Sequence, residues 1–370
     1  MKKDNTIEAF FALIRGGLWE ENVVLSQFGE IDYNEVFQLA GEQSVIGLVA
    51  AGIDHVIDVK PPKDLILEIV GQSLQIEQRN TAMNHFIAGL VDKMRNADIY
   101  TILVKGQGIA QCYERPLWRV CGDVDLLLSE GNYNKAIEFI KPLASSIDEE
   151  DKKRKHYGAV IDSWLVELHG TLHTRQLRRL NKVIDEVQSD VFYSGNVRSW
   201  MNGKVSVFLP SPDNDVFFVF AHIIQHYFGG GVGLRQICDW SRLLWTYRES
   251  IDSSLLEKRL CKAGMMTEWR AFAAFAIEYL GMSEVAMPLY SSDKCWNKKA
   301  FMIKNYILET GNFGHNRDNS FRKGSAFSQK LGSLQRYTVD TIRHFFVFPM
   351  DSVKVLGRMI INGVGESVKS

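Results

Sequence analysis

The chain is 370 residues long, and at roughly 150 residues per domain that length points to about two domains. Apolar residues make up 46% and charged residues 24%, with 21 phenylalanines, so wholesale disorder is excluded and a sizeable core can be buried. Lysine plus arginine (43) against aspartate plus glutamate (44) leaves a formal net charge of −1; this removes the global electrostatic argument for a membrane-surface protein or a binder of long nucleic acid, while leaving room for a local basic groove.

Residues 1–95 read as helical. Ile7, Phe10, Phe11 and Ile14 recur at helical spacing, as do Val36, Leu39 and Ala40. Pro61 and Pro62 break the chain, and proline suits the first turn of a helix that follows. That helix is predicted over Lys63–Arg95, where Leu65, Ile69, Ile76, Met83, Phe86, Ile87, Leu90 and Met94 keep the period. The texture changes near Asp98. The apolar run ending in Val104, closed by Gly106 and Gly108, predicts a strand and a turn, and Gly108–Tyr113 a short helix. An alternating strand follows over Cys121–Leu128, then a helix over Tyr133–Leu143. The charged run Asp148–His156 reads first as a solvated loop, with its basic half beside a groove as the alternative, and Tyr157–Gly170 supplies one or two more strands.

From Thr174 onward the pattern is mainly helical, with helices predicted over Ser211–Phe228, Leu234–Tyr247, Leu255–Ala263, Thr267–Leu280 and Cys295–Glu309. Lys204–Leu209 alternates and reads as a short strand before Pro210. Gly229–Gly231 is a break, and the polar segment Asn312–Lys330, with Arg317, Arg322 and Lys323, reads as a long loop. These changes divide the chain into an N-terminal helical segment (1–95), a mixed α/β middle (96–174) and a mainly helical C-terminal part (175–370).

The middle segment carries the chemistry. Asp123 and Asp125 flank Val124 in a predicted strand, so the pleat sends both carboxylates to one face and Val124, Leu126 and Leu128 to the other. Two carboxylates so placed can hold a pair of divalent cations about 4 Å apart. Mg²⁺ is the natural choice, because it takes hard oxygen ligands together with substrate phosphates. A half-exposed strand with a polar face shows the same pattern, so the neighbouring motifs carry weight. Val104-Lys105-Gly106-Gln107-Gly108 is a glycine turn between strand and helix, where backbone N–H groups can cradle phosphate and Lys105 adds positive charge. Arg119 and Gly122 add a cation and close backbone access just ahead of the aspartates. In Trp164–His169, Glu167 and His169 share one face while Trp164, Val166 and Leu168 share the other. Placed beside the first strand, Glu167 would complete a triad of carboxylates and offer a general base for an attacking hydroxyl.

These residues resemble the DNA polymerase beta-like nucleotidyltransferase superfamily, whose signature is a glycine turn, a strand bearing Asp-apolar-Asp-apolar, and a third carboxylate on a later strand. More closely, the chain resembles a bacterial family of uncharacterised nucleotidyltransferases with a Lys-Gly turn, an Arg-x-x-Gly-Asp-apolar-Asp segment and a Glu-Leu-His strand. Arg119-Val120-Cys121-Gly122-Asp123-Val124-Asp125 and Glu167-Leu168-His169 match that description, and Gly233–Trp240 resembles the family's helical C-terminal part. The likeness runs from about residue 30 to 340. It implies an α+β fold in which a small mixed β-sheet nucleotidyltransferase core is embedded in a mostly α-helical chain. It implies transfer of a nucleoside monophosphate from an NTP such as ATP, with pyrophosphate released and two Mg²⁺ ions held by Asp123, Asp125 and Glu167. Lys105, Gly106, Gln107, Arg119, Gly122 and His169 would form the nucleotide site, Gln107 standing where the superfamily usually has Gly or Ser. The acceptor stays open among a small molecule, a protein and an RNA end.

Other constellations carry less. His169 and His173, and His222 and His226, are four apart, but neither pair has the Glu after the first His that zinc proteases need. Arg235 and Asp239 are four apart on a predicted helix and read first as a surface ion pair, with packing of the C-terminal helices on the core and a nucleotide contact by Arg235 as lesser alternatives; Phe217, Phe218 and Phe220 read as core. The five cysteines, Cys112, Cys121, Cys238, Cys261 and Cys295, are odd in number with no Cys-x-x-Cys, which predicts reduced thiols. The N-terminal stretch lacks a signal-peptide h-region, and the most apolar run, Val216–Ile224, is too short for a membrane helix, so a cytoplasmic location is expected. Two further readings stay open. One is a catalytically degenerate nucleotidyltransferase-fold module with a binding or regulatory role. The other is an Asp-x-Asp metal-dependent glycosyltransferase, disfavoured because the region ahead of the motif reads as helical rather than βαβ.

Overall fold

A computed structural model of the chain describes residues 2–174, 178–316 and 326–357. It begins with four helices: α1 (Lys2–Trp19), α2 (Tyr33–Glu42), α3 (Ile46–Asp54) and α4 (Lys63–Asn96). The Asp32 carboxylate caps α2 by accepting from the N–H groups of Asn34 and Glu35 at 3.1 and 3.2 Å. Helix α4 starts directly after Pro62 and runs for 34 residues. Its second half buries Met83, Ile87, Leu90, Val91 and Met94.

The mixed region follows as β1 (Thr101–Val104), the one-turn α5 (Gly106–Ala110), β2 (Asp123–Leu128), α6 (Glu130–Ile140), β3 (Ser146–Ile147), β4 (His156–Ile161) and β5 (Trp164–His169). After α7 (Arg178–Tyr193), a hairpin of β6 (Val197–Asn202) and β7 (Val205–Pro210) extends the same sheet. The strand order is β3-β4-β5-β2-β1-β7-β6. β2 lies between β1, antiparallel to it, and β5, parallel to it, while β7 joins β1 in parallel. The remaining helices are α8 (Pro212–Gly229), α9 (Leu234–Thr246), α10 (Ser253–Ala263), α11 (Met266–Glu278), α12 (Lys294–Thr310) and α13 (Ala326–Val347), with residues 349–357 also helical. The result is the expected α+β chain, mostly helical around a small mixed sheet. No helix among the described residues is long and apolar enough to cross a membrane.

The two faces of the sheet differ, and that difference positions the site. One face sends Leu103, Val124, Leu126, Leu128, Val166, Leu168, Val207 and Leu209 into a core with the end of α4 and with Tyr133, Ala136 and Ile140 of α6. Each such buried side chain contributes roughly 1.5–3 kcal/mol, so a one-residue slip that drove the aspartates inward is prohibited. The other face shares Ile102, Val104 and Leu127 with a larger core containing Phe217 and Phe220 of α8, Trp240 of α9 and Trp269 of α11. Asp123, Asp125 and Glu167 sit on that second face, where the covering helices leave a cleft.

Several expectations change in detail. His156 opens a strand instead of ending a loop, because His156, Gly158 and Val160 alternate with the buried Tyr157, Ala159 and Ile161. Val197–Asn202 is an edge strand paired along its whole length with β7. Of the loop expected over 312–330, residues 312–314 form a tight helical turn and α13 has begun by Ala326. Residues 317–325, with Arg317, Arg322 and Lys323, lie outside the described residues. Cys112, Cys121 and Cys238 are buried free thiols, and Cys261 and Cys295 are exposed ones.

Candidate active site

The parallel pairing of β2 and β5 sets Asp125 directly opposite Glu167. One carboxylate oxygen from each of Asp123, Asp125 and Glu167 lies within 4.8 Å of the others. Asp125 is almost fully buried, and its Oδ1 receives Lys105 Nζ at 2.9 Å and lies 2.8 Å from His169 Nε2. His169 Nε2 is also 3.5 Å from Glu167 Oε2, and His156 Nε2 is 3.2 Å from that same oxygen. Asp123 makes no side-chain hydrogen bond or ion pair among the described residues.

The electrostatics follow from this crowding. The Asp125 carboxylate, and then burial, hold the Asp123 carboxyl above its usual range. Burial would do the same to Asp125 and Glu167, but each is brought below the carboxylate range, Asp125 by Lys105 and His169, Glu167 by hydrogen bonds from His156 and His169. Burial alone would depress Lys105 and His169; the carboxylates outweigh it and hold both above their ordinary values. All three acids present oxygen atoms in a cleft, which fits the hard-oxygen ligand set of Mg²⁺.

The turn between β1 and α5 is strained where it meets the acids. Lys105 adopts φ 60° and ψ −149°, a region occupied almost solely by glycine and costing about 1–3 kcal/mol. That conformation delivers its ammonium to Asp125. Gly106 follows at φ +46°, where an added Cβ would lie 3.2 Å from Cys121 Sγ. Gln107 does not join the site. Its side chain is buried, and Nε2 donates to Asn80 Oδ1 of α4 at 2.8 Å. Asn80 Nδ2 donates in turn to the carbonyls of Leu117 and Arg119, pinning the segment that leads into β2. Gly122 is exposed and does not line the cleft.

Arg119 lines the cleft, but its guanidinium is engaged. Nε and Nη2 donate to the two oxygens of Asp239 at 2.9 and 2.6 Å, and the Tyr113 hydroxyl donates to Oδ1 at 2.8 Å. The surface pair expected between Arg235 and Asp239 is therefore not formed: Asp239 is buried and already taken by a fork-shaped donor from another segment. Arg235 instead donates Nη1 to the Val120 carbonyl at 2.7 Å, while its buried Nε has no partner among the described residues. Burial, reinforced by the nearby Arg119 charge, holds its pKa below the ordinary arginine value.

The cleft has two adjoining lobes. One is lined by Gly106, Asp123, Asp125, Arg235 and Phe313. The other is lined by Arg154, His156, His169, Thr171 and His173. Lys105, Glu167, His222 and His226 border both. The two α8 histidines, seen in sequence only as a spacing, thus face the carboxylates. Phe313, at φ 53°, lies beside His226 with ring centroids 4.8 Å apart and under the Arg235 guanidinium at 5.9 Å. Its turn packs against the glycine break after α8: a Cβ on Gly231 (φ +141°) would stand 2.7 Å from the Gly314 nitrogen.

Sequence reasoning missed His156, because the charged residues ahead of it mask the alternation that starts there. It ranked a nucleotide contact by Arg235 behind a surface ion pair and did not single out Phe313; their positions depend on how α9 and the turn after α12 pack, which no local pattern signals.

An α+β chain with three carboxylates clustered on adjacent strands of a small mixed sheet has the arrangement of a nucleotidyltransferase-like fold. The chain belongs to the family described as uncharacterised nucleotidyltransferase, whose profile matches residues 29–281, well over half its length and every residue of the carboxylate cluster. This agrees with the likeness to the DNA polymerase beta-like superfamily. No curated protein and no solved structure matches the chain.

Proposed function

We propose that the protein is a Mg²⁺-dependent nucleotidyltransferase that moves a nucleoside monophosphate from an NTP to an acceptor hydroxyl or similar nucleophile, with release of pyrophosphate. The observation that carries this reading is the cluster of Asp123, Asp125 and Glu167, an all-oxygen donor set opening into a cleft that also holds a cation, Arg235, without a carboxylate partner among the described residues. Asp123, Asp125 and Glu167 would hold the metal, which when bound neutralises phosphate charge and aids deprotonation of the attacking oxygen. Lys105 holds the buried Asp125 in its ionised form and orients it. Glu167 is kept ionised by its two imidazoles, which suits a metal ligand and makes it a weak proton acceptor. The Arg235 guanidinium and the backbone of the Gly106 turn would meet the triphosphate; Gln107, turned into the core, contributes no side-chain donor to it. The acceptor, whether small molecule, protein or RNA, would enter through the lobe bordered by Arg154, His156 and His173. Family membership favours this reading over glycosyl transfer.

The test is calorimetric titration of each Mg²⁺–NTP into wild-type protein and into Asp123→Asn. The expected outcome is metal-dependent binding by the wild type that weakens by about tenfold or more in the variant. Asp123→Asn should melt no lower than wild type, because it relieves repulsion from Asp125. Binding retained by the folded variant, or no binding of any NTP by the wild type, would overturn the reading.

A further inference from the structure

Glu167 belongs to a second set of donors. β4 runs antiparallel to β5 with His156 opposite His169 and Gly158 opposite Glu167, so His156, Glu167 and His169 project from one face. Both imidazoles bring Nε2 to the same oxygen, Glu167 Oε2, at 3.2 and 3.5 Å, and all three donor atoms lie within 4.8 Å of one another. A dication bonded at about 2.0–2.2 Å to nitrogen and oxygen ligands sets tetrahedral neighbours about 3.4 Å apart. The measured separations from Oε2 bracket that value. The set is fixed on two strands paired along their whole length, and one side of it opens into the lobe lined by Arg154, Thr171 and His173. Three protein ligands with an open side are the pattern of a metal site that keeps a position for water or substrate.

We propose that His156, Glu167 and His169 form a metal position of their own, adjoining the three-carboxylate position and sharing Glu167 with it, that takes a transition-metal dication of the Zn²⁺ or Fe²⁺ class. The donor chemistry separates the two positions. Imidazole nitrogen suits Zn²⁺ and Fe²⁺, whereas Mg²⁺ stays with oxygen ligands. Ligation would draw His169 Nε2 away from Asp125 Oδ1, leaving Lys105 as that carboxylate's cation. The proposal goes beyond nucleotide transfer: it needs neither Asp123 nor an NTP.

The probe is Zn²⁺ alone, titrated calorimetrically into the full chain without nucleotide, in wild type, His156→Gln and Asp123→Asn. Co²⁺ absorption in the visible serves as a second readout of the ligand set. His156 is partly exposed and, among the described residues, its side chain hydrogen-bonds Glu167 and touches the His169 ring, so its replacement leaves the fold intact, which circular dichroism checks. The expected result is one tight Zn²⁺ site, weakened by about a hundredfold or more in His156→Gln, beyond what loss of an outer-shell partner costs. Asp123→Asn should bind Zn²⁺ as wild type does, and the visible Co²⁺ bands should be lost only in His156→Gln, without the thiolate band that Cys261 or Cys295 would give. Equal Zn²⁺ affinity in His156→Gln, no Zn²⁺ binding by the wild type, or equal loss in Asp123→Asn would each overturn it. The Mg²⁺–NTP titrations decide separately: a wild type that binds Zn²⁺ as described but no NTP keeps this site and removes the proposed activity.

Discussion

Two buried charge clusters line the same cleft, and their bookkeeping differs. Around Asp239 the charges close: one carboxylate takes two arms of Arg119 and the Tyr113 hydroxyl. Around Asp125 they do not. Three carboxylates meet one lysine and two imidazoles, and Asp123 is left with no cation within ion-pair distance among the described residues. Burial disfavours any charge, but a closed pair meets that cost internally. An open excess of carboxylates would instead be relieved from outside, and under the proposed function a cation would do so. Arg235 is the mirror case on the same wall, a guanidinium without a carboxylate among the described residues, which under the proposed function an anion would relieve. The cleft thus combines a finished structural pair with two unfinished sites of opposite sign.

The sharpest way to break this comparison is to neutralise one acid from each cluster. Asp239→Asn leaves the Arg119 guanidinium buried without its counter-charge. It should lower the unfolding free energy by about 3–5 kcal/mol, the usual consequence of removing one partner of a buried pair. Asp123→Asn removes a charge that its neighbour repels, and stability should stay or rise. Urea unfolding of the two variants reads the contrast directly. Equal losses would mean that Asp123 is as structural as Asp239, and the distinction between closed and open clusters would go.

A pH series sharpens the same point from the helix that covers the acids. Burial first, then the Lys105 and Arg235 charges, push the His226 imidazole down to about 4, against roughly 6.5 in an unfolded chain. Between those values the unfolded state binds the proton and the folded state does not, so stability rises with pH across the window and is lost as pH falls from about 6.5 towards 4. The full effect is of order 3 kcal/mol at 1.36 kcal/mol per pH unit. His226→Gln should flatten that part of the profile. An imidazole resonance of His226 that titrates near 6.5 in the folded protein would show that the cations of the cleft do not reach it.

Much of the acid cluster was legible because strand period and burial agree. Val124, Leu126 and Leu128, with Val166 and Leu168, claim one face so strongly that Asp123, Asp125 and Glu167 must take the other. The helical context was legible for a similar reason, the long period of α4 and the run of apolar helices after Pro210. What the pattern cannot carry is pairing across distance. Arg119 and Asp239 are 120 residues apart, and only the docking of α9 against the segment before β2 brings them together. Four-residue spacing offered Asp239 a nearer partner in Arg235, and a buried fork from another segment won. The Gln107 side chain turns from the cleft for the same kind of reason: Asn80, a polar residue on the apolar stripe of α4, draws it inward. The edge strand Val197–Asn202 reads as polar because its alternation is only half satisfied by a core.

Arg235 gives the finest test, because it asks whether an arginine in this wall is structural or waiting for a ligand. Its Nη1 is anchored on the Val120 carbonyl and its Nε has no partner among the described residues. Burial disfavours its charge, so the folded chain gains little from the cation itself. Arg235→Met should therefore leave the unfolding free energy unchanged or slightly higher, while weakening Mg²⁺–NTP binding by about tenfold or more, the worth of one or two charge-assisted hydrogen bonds. Arg235→Lys keeps the charge but loses the fork, and should fall between. Arg119→Met is the control: it strips Asp239 of its partner and should destabilise the fold, with nucleotide affinity following only as the folded fraction does. If Arg235→Met destabilised the protein and left NTP affinity as it was, Arg235 would be a second Arg119, and the anion half of the site would have to be sought elsewhere in the cleft.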